Sequence, residues 1–387
     1  MGKKNNIQLP LKIVLTEEGA AALIQQNIKI QRLKMGDKSE EYGVSMEVLT
    51  PAFLQQMIMA GYIAKVEVTG IEPLSVRAEI MDLCKLVFHS IVYRNFGFVA
   101  QELTLGSEPV KNWNHLNPQS MIDERTLPKE GSMQQFLKSR ADECAALRRE
   151  LLTPISGRIT KDEKLQPDEK NVHILLAEKI LDSAPPLVWF VLLKFAGPAN
   201  GFRKLLGELR NCVDGCIKKC AVAEYAALMI MELAANIENI NIQKEARVYY
   251  KTSVLNMQKI LQDPQFRMPV IASMRKKNNL LTFSWKLGGA SQSIGTRGKF
   301  QVTLFDSDAN YKETRDSMEA TRSADAGRFN LSEYYKKLQN SGNELELGVY
   351  YLSYFNEACE KAGIKFESMV NQTQYSDQTI TTLSFVL

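Results

Sequence analysis

The C-terminal stretch from Leu347 to Leu387 imposes the tightest constraint on this chain. Leu347-Gly348 leads into an apolar-periodic run, Val349 to Ala362, which Gly363 ends. Glycine just past the last periodic residue is a helix stop, because the left-handed conformation needed there costs it nothing. Ile364 to Met369 then reads as a strand, Asn371 to Gln378 as a polar turn, and Thr379 to Leu387 as a threonine-rich last strand. Such a helix and strands bury their apolar sides only by packing in layers.

A chain of 387 residues has room for two or three domains with cores of their own. Hydrophobic residues make up 45% and charged residues 24%, the balance of a soluble globular protein. The net charge of +4 argues against a bulk polyanion binder. The basic clusters Arg275-Lys276-Lys277 and Lys218-Lys219 lack the interleaved aromatics of a nucleic-acid platform, so no nucleic-acid partner is expected. The start of the chain is polar and alternating, unlike a signal peptide, and Asn6 stands where myristoylation needs Ser or Thr. The longest apolar run, Pro185 to Phe195, is broken by Lys194 and is too short to span a bilayer. These features place the protein in the cytoplasm, with no membrane partner. Cys212, Cys216 and Cys220 lie four apart, along one drifting helical stripe. That spacing admits a thiolate metal site, but no fourth ligand lies nearby, and small buried residues at core spacing are the expectation. His89, inside an apolar helix, reads as a packed core histidine.

Along the chain, Ile7 to Leu15 is β-rich, and Pro10 marks it as an edge or broken strand. Thr16 caps a helix to about Ile28, and Thr50-Pro51 opens a short one. Ala64, Val66 and Val68 alternate with polar residues as a half-buried strand. Arg77 to Phe96 carries an apolar helical stripe and is the core helix of an N-terminal α/β domain. Leu105 to Gly131, rich in Asn, Pro, Ser and Gly, reads as a long loop holding Trp113 and His115. Ser132 caps a helix to about Leu152, Ser156 to Asn171 is a polar linker, and Pro185-Pro186 interrupts the helices that follow. A long helix runs from Phe202 to Asn241. The expected division is 1–130, an N-terminal α/β domain; 131–200, a helical linker and candidate dimerisation region; and 201–387, a C-terminal domain.

Within the long helix, Glu232 and Asn236 sit one turn apart on one face. A carboxamide oxygen there can ligate Mg²⁺, and the carboxylate can orient a water or bind the metal's hydration shell. After a segment of insertion character, Gln243 to Asn278 with a helix near Ser253 to Leu261, two strands follow. These are Asn279 to Leu287 and Phe300 to Phe305, the second running into Asp306-Ser307-Asp308-Ala309-Asn310.

This order of elements, from about Phe202 to Leu387, resembles the Bergerat-type ATP-binding domain of the GHKL superfamily, which includes gyrase, heat-shock chaperone, histidine kinase and mismatch-repair ATPases. The resemblance implies metal binding by Asn236 and Glu232, and cofactor binding by Asp306, Gly348 and Thr381. In that family an aspartate in the place of Asp306 accepts from the adenine amino group. A helix start such as that at Gly348 offers free N–H groups to phosphate. Gln378 to Phe385 is similar to the family's closing strand. ATP and Mg²⁺ are the implied cofactors.

The site departs from the family pattern. Asp308 and Asn310 replace two glycines, Glu344-Leu345-Glu346-Leu347 precedes Gly348, and Ile237 and Asn239 follow Asn236. Glu150 to Ile155 resembles the phosphoacceptor box of sensor histidine kinases, but Arg149 stands in the histidine's place. Arginine does not accept a phosphoryl group as imidazole does, so autophosphorylation by that route is excluded.

The expected fold is α/β (α+β), ending in a two-layer sandwich with helices on one face of a mixed sheet. The expected function is that of a cytoplasmic regulatory or signalling protein with a degenerate, histidine-kinase-like ATP-binding domain, without autokinase activity, acting with a protein partner or as a homodimer. The alternative is a non-catalytic scaffold or adaptor that keeps the fold and acts through protein contacts.

Overall fold

The computed structural model describes residues 6–36, 39–44, 49–73, 75–123, 130–197, 199–251, 257–277, 280–288, 298–306, 312, 315–316, 347–372 and 378–387. Asp308, Asn310, residues 344–346 and most of the turn at 371–378 lie outside them, as do 253–256 of the expected insertion helix. The chain forms two compact units. One joins Met1–Ser90 with Val222–Leu387, and the other is Ile91–Ala221. The division falls inside two long helices, not at the expected borders after 130 and 200.

The first unit is built on strands β1 (Leu11–Leu15), β2 (Ile30–Gly36), β3 (Ser39–Val44), β4 (Ile63–Ile71), β5 (Leu281–Leu287), β6 (Lys299–Asp306), β7 (Lys365–Gln372) and β8 (Thr379–Val386). They form one sheet in the order β2-β3-β1-β4-β5-β6-β8-β7. N-terminal and C-terminal strands therefore share a sheet, with β4 paired to β5. Every neighbouring pair is antiparallel, which corrects the expected mixed sheet. The reason lies in the crossovers. β1 and β2 run parallel through α1 (Glu17–Gln25), β3 and β4 through α2 (Pro51–Met59), and β6 and β7 through a connection that ends in α12 (Leu347–Lys361). Each time a third strand is inserted between the parallel two, the split βαβ arrangement. The first four strands with α1 and α2 have the ferredoxin-like order β4-β1-β3-β2. Pro10 precedes β1 and does not interrupt it, and β1 is interior rather than an edge.

Local chemistry fixes the helices. Thr16 Oγ1 accepts from the Gly19 N–H at 3.1 Å, and Thr50 Oγ1 from Phe53 at 3.2 Å, so both expected caps form. A Cβ at Gly19 would lie 2.2 Å from the Tyr62 carbonyl oxygen, so no larger residue fits there. Gly363 ends α12 with φ +69°. Alternation points Phe300, Val302 and Leu304 of β6, and Leu383 and Phe385 of β8, into the core. Phe88 of α3 (Arg77–Leu105) meets Phe300 and Phe385 edge-on, and Phe355 of α12 meets Phe385 on the same face. The opposite face is polar, with Lys65 Nζ 2.8 Å from Glu67 and Gln301 donating to Ser384 Oγ at 3.1 Å.

The second unit is helical. It comprises the later part of α3, then α4 (Glu108–Leu116), α5 (Glu130–Ser139), α6 (Ala141–Lys161), α7 (Pro167–Asp182), α8 (Pro186–Lys194) and the first half of α9 (Asn200–Tyr250). Two expectations are corrected here. The segment read as a long loop contains α4, because Ser107 sits at its N-cap, Pro109 falls in its first turn and Val110 is buried. Trp113 lies on α4, its Nε1–H donating to the Ser120 carbonyl at 2.8 Å with Lys194 Nζ 3.6 Å over its ring. The segment read as a linker begins as helix, since α6 runs through Pro154 to Lys161 with Leu147, Leu151, Ile155 and Ile159 buried every fourth residue. Proline cannot donate back to the Glu150 carbonyl. Arg210 does so instead, at 3.1 Å.

Among the described residues α9 is long and apolar enough to cross a membrane, but 72% of its most apolar stretch is buried inside the protein. It carries the cysteine stripe. Cys212 and Cys220 are two turns apart, roughly 12 Å along the axis, so the three thiols do not converge on one ion. The described residues hold no group of three or more His, Cys, Asp or Glu arranged for a metal ion. A hydrogen bond from Cys216 holds the Cys212 thiol below its ordinary pKa, while burial pushes Cys220 and Cys359 up to about 12. Burial also raises half-exposed Cys144. Iodoacetamide at mildly alkaline pH should therefore alkylate Cys212 first, as read by peptide mass mapping. Earlier labelling of Cys144 would contradict the thiol pairing.

Candidate functional site

The alternation that buries Phe300, Val302 and Leu304 also buries the next inward residue, Asp306, at the end of β6. It is 2% exposed. Across the strand pair it faces Thr379, while Leu304 faces Thr381, so both threonines share the buried face with the carboxylate. The second half of α9 supplies a partner. Asn241 is buried, and its Nδ2–H donates to Asp306 Oδ1 at 2.8 Å. Thr381 is 1% exposed, and its Oγ1 has no hydrogen-bond partner among the described residues. A buried hydroxyl is ordinarily paired, which sets Thr381 apart on this face.

The other expected residues lie elsewhere on the helix. Glu232 is buried and accepts from Arg77 Nη2 at 2.5 Å, in a pair between α9 and α3 that Lys85–Glu224 repeats at 2.6 Å. Asn236, one turn on, is half-buried. Asn241 follows five residues later, about 140° around the helix and roughly 7.5 Å along it, so it presents a different face. The fold thus sets Asn241 on Asp306, with Thr379 and Thr381 on the same buried sheet face, and leaves Glu232 with Arg77. The Arg77 guanidinium occupies an oxygen of the Glu232 carboxylate. Gly348 lies in the first turn of α12.

Two insertion helices brace this part of α9. From α11 (Pro264–Lys276), which follows α10 (Met257–Gln262), Arg267 donates to Glu238 at 2.9 Å. Ser273, with Lys277 just beyond the helix, donates to Glu245 at 2.6 and 2.8 Å. Ile242, Ala246, Val270, Ile271 and Met274 form the apolar core between them. Sequence reasoning missed Asn241 and Arg77. An amide on a helix position bracketed by buried Ile237, Ile242 and Ala246 was a readable signal for the first. Nothing local announced the second.

Comparison with known proteins agrees on extent. A family described as "Family of unknown function (DUF8084)" matches residues 2–387. The chain belongs to DUF8084. A protein of Treponema pallidum (strain Nichols), described as an uncharacterized protein, is 33% identical over 384 residues, covering 99% of this chain and 98% of that protein. No solved structure matches. The DUF8084 match runs through the N-terminal strands, the helical unit and the C-terminal strands alike.

Proposed function

We propose that this DUF8084 protein is a cytoplasmic regulatory protein whose α9 and C-terminal strands form a degenerate, GHKL-like site for an adenine nucleotide, without autokinase activity. The observation that carries the reading is buried Asp306, met by Asn241 of α9, on the same buried sheet face as Thr381, whose hydroxyl has no hydrogen-bond partner among the described residues. A carboxylate acceptor and a hydroxyl able to donate, on one sheet face, are the kinds of group that a 6-aminopurine edge calls for, since it offers an amino donor and a ring-nitrogen acceptor. The strand order β5-β6-β8-β7, with α12 leading from β6 to β7, supports the reading. Asn236 is the residue that would hold Mg²⁺ with the phosphates. Arg149, in place of a phosphoacceptor histidine, argues for binding without self-phosphorylation.

A melting scan with and without ATP and magnesium tests this. Ligand at one hundred times its Kd should stabilise the wild type by about 2.7 kcal/mol. Thr381→Val should lose most of that gain, and Asn236→Ala should lose the magnesium-dependent part. No shift at saturating ATP would sink the nucleotide reading. It would favour a scaffold acting through a protein partner or a second copy, a reading supported by the internal pairing of Glu232 with Arg77 and Asp306 with Asn241.

A further inference from the structure

We propose that β7 is a dimerisation edge, on which the same strand of a second copy of this chain docks antiparallel about a two-fold axis at Met369. β7 is the last strand of the sheet, and among the described residues it pairs with β8 alone. An antiparallel strand aims about half of its N–H and C=O groups to each side, so the far side of β7 is a template for another strand. Natural edges are commonly blunted by proline, bulges or repeated charge. The opposite edge, β2, has such protection, since its register shifts between Arg32 and Lys34, two cations on the strand itself. β7 has no proline and no bulge. Its eight residues pair with β8 without a shift, from Lys365 against Val386 to Gln372 against Thr379, and its two charges are of opposite sign, Lys365 and Glu367.

The side chains of β7 suit a copy of themselves. Lys365, Glu367, Met369 and Asn371 are exposed, with Met369 57% exposed in mid-strand. Residues directly opposite in an antiparallel pair point to the same face, so a two-fold axis normal to the sheet falls on a residue and pairs it with itself. An axis at Glu367 would set two carboxylates against each other, and an axis at Ser368 would leave them diagonal neighbours. An axis at Phe366 would leave most of the strand beyond the pairing. An axis at Met369 overlaps residues 366–372 and sets the two thioethers together. It also places each Glu367 opposite Asn371 of the other copy, whose amide can donate to the carboxylate. In one copy alone, Asn371 Nδ2 donates to Met369 Sδ at 3.0 Å, and a carboxylate is a far stronger acceptor than a thioether. The contact is reciprocal, so it closes as a dimer and does not grow into a fibre. It places self-association on the sheet rather than in the helical region 131–200.

The test is the mass of the full-length protein in solution, by sedimentation or light scattering. Wild type should be a dimer. Met369→Lys sets two ammonium groups face to face at the axis and should weaken dimerisation about a hundredfold, giving a monomer. Its far-UV circular dichroism should be unchanged, because an exposed side chain contributes little to the fold. Met369→Glu should also be monomeric alone, and mixing the two variants should restore a dimer with one copy of each. If a charged variant fails to fold, Met369→Cys makes the same test. On mild oxidation it should form an intermolecular disulfide, mapped to position 369, that the wild type lacks. A monomeric wild type overturns the proposal. A folded Met369→Lys variant that stays dimeric overturns it too, because the contact then lies elsewhere. So does a mixture of the Lys and Glu variants that fails to pair.

Discussion

Phe385→Ala is expected to destabilise the sheet-bearing unit by about 3–5 kcal/mol, the usual cost of emptying a fully buried aromatic position. Phe385 is fully buried on β8 and stacks on Phe300 of β6 with centroids 4.6 Å apart and planes 9° apart. Phe88 meets it edge-on from α3 at 5.8 Å, Phe355 from α12 at 6.0 Å, and Phe366 lies 5.2 Å away on β7. One ring thus ties three strands to two helices drawn from distant parts of the chain. Neighbours anchored on several elements collapse poorly into the space it leaves, so the cavity cost adds to the lost transfer energy. Phe385→Leu refills much of the volume and should cost clearly less. Urea unfolding of the two variants measures the difference. A cost below about 1 kcal/mol for alanine would contradict the described packing of α3 and α12 on β8.

The same residues show what the sequence could and could not convey. Val349 to Gly363, Phe300 to Leu304 and the Thr16 and Thr50 caps are local signals, and each element forms where the periodicity put it. A helix stop or a strand alternation is decided within a few residues, so it is readable there. Pairing β4 with β5 is not, because Val66 meets Trp285 only after the helices between them have returned the chain. Helix α6 was hidden by Pro154, whose penalty is offset by a buried stripe on both sides and by Arg210, distant in sequence, on the stranded Glu150 carbonyl. The candidate site divides the same way. Asp306 and Thr381 were expected only through the resemblance to the GHKL ATP-binding domain. The partner of Asp306 was not, since Glu232 and Asn236 share one helix face and Asn241 lies on another. Only the approach of α9 to the end of β6 decides which face meets the carboxylate.

Arg267→Met should cost a similar amount, about 3–5 kcal/mol, but for an electrostatic reason. Glu238 on α9 is 5% exposed, and Arg267 reaches it from α11 at 2.9 Å. The same guanidinium donates to the Leu261 carbonyl at 3.0 Å, which ties the end of α10 to this corner. Removing the arginine leaves the Glu238 carboxylate buried without its guanidinium, and the penalty is mainly desolvation of that charge rather than lost attraction. Arg267→Met combined with Glu238→Gln should therefore recover most of the loss, because no buried charge remains. A double-mutant cycle by urea unfolding should show an interaction energy of several kcal/mol, against near-zero coupling for an exposed pair. The result bears on the site as well as on stability. Glu238 and Asn241 are three residues apart on neighbouring positions of α9, so the clamp from α11 holds the stretch of helix that carries the amide facing Asp306. If the single variant is destabilised but the double variant regains both stability and ATP-dependent stabilisation, the insertion helices serve to place α9. Recovery of stability without recovery of ligand response would mean that the arginine's own bonds, not merely the balance of buried charge, keep Asn241 in register with the end of β6.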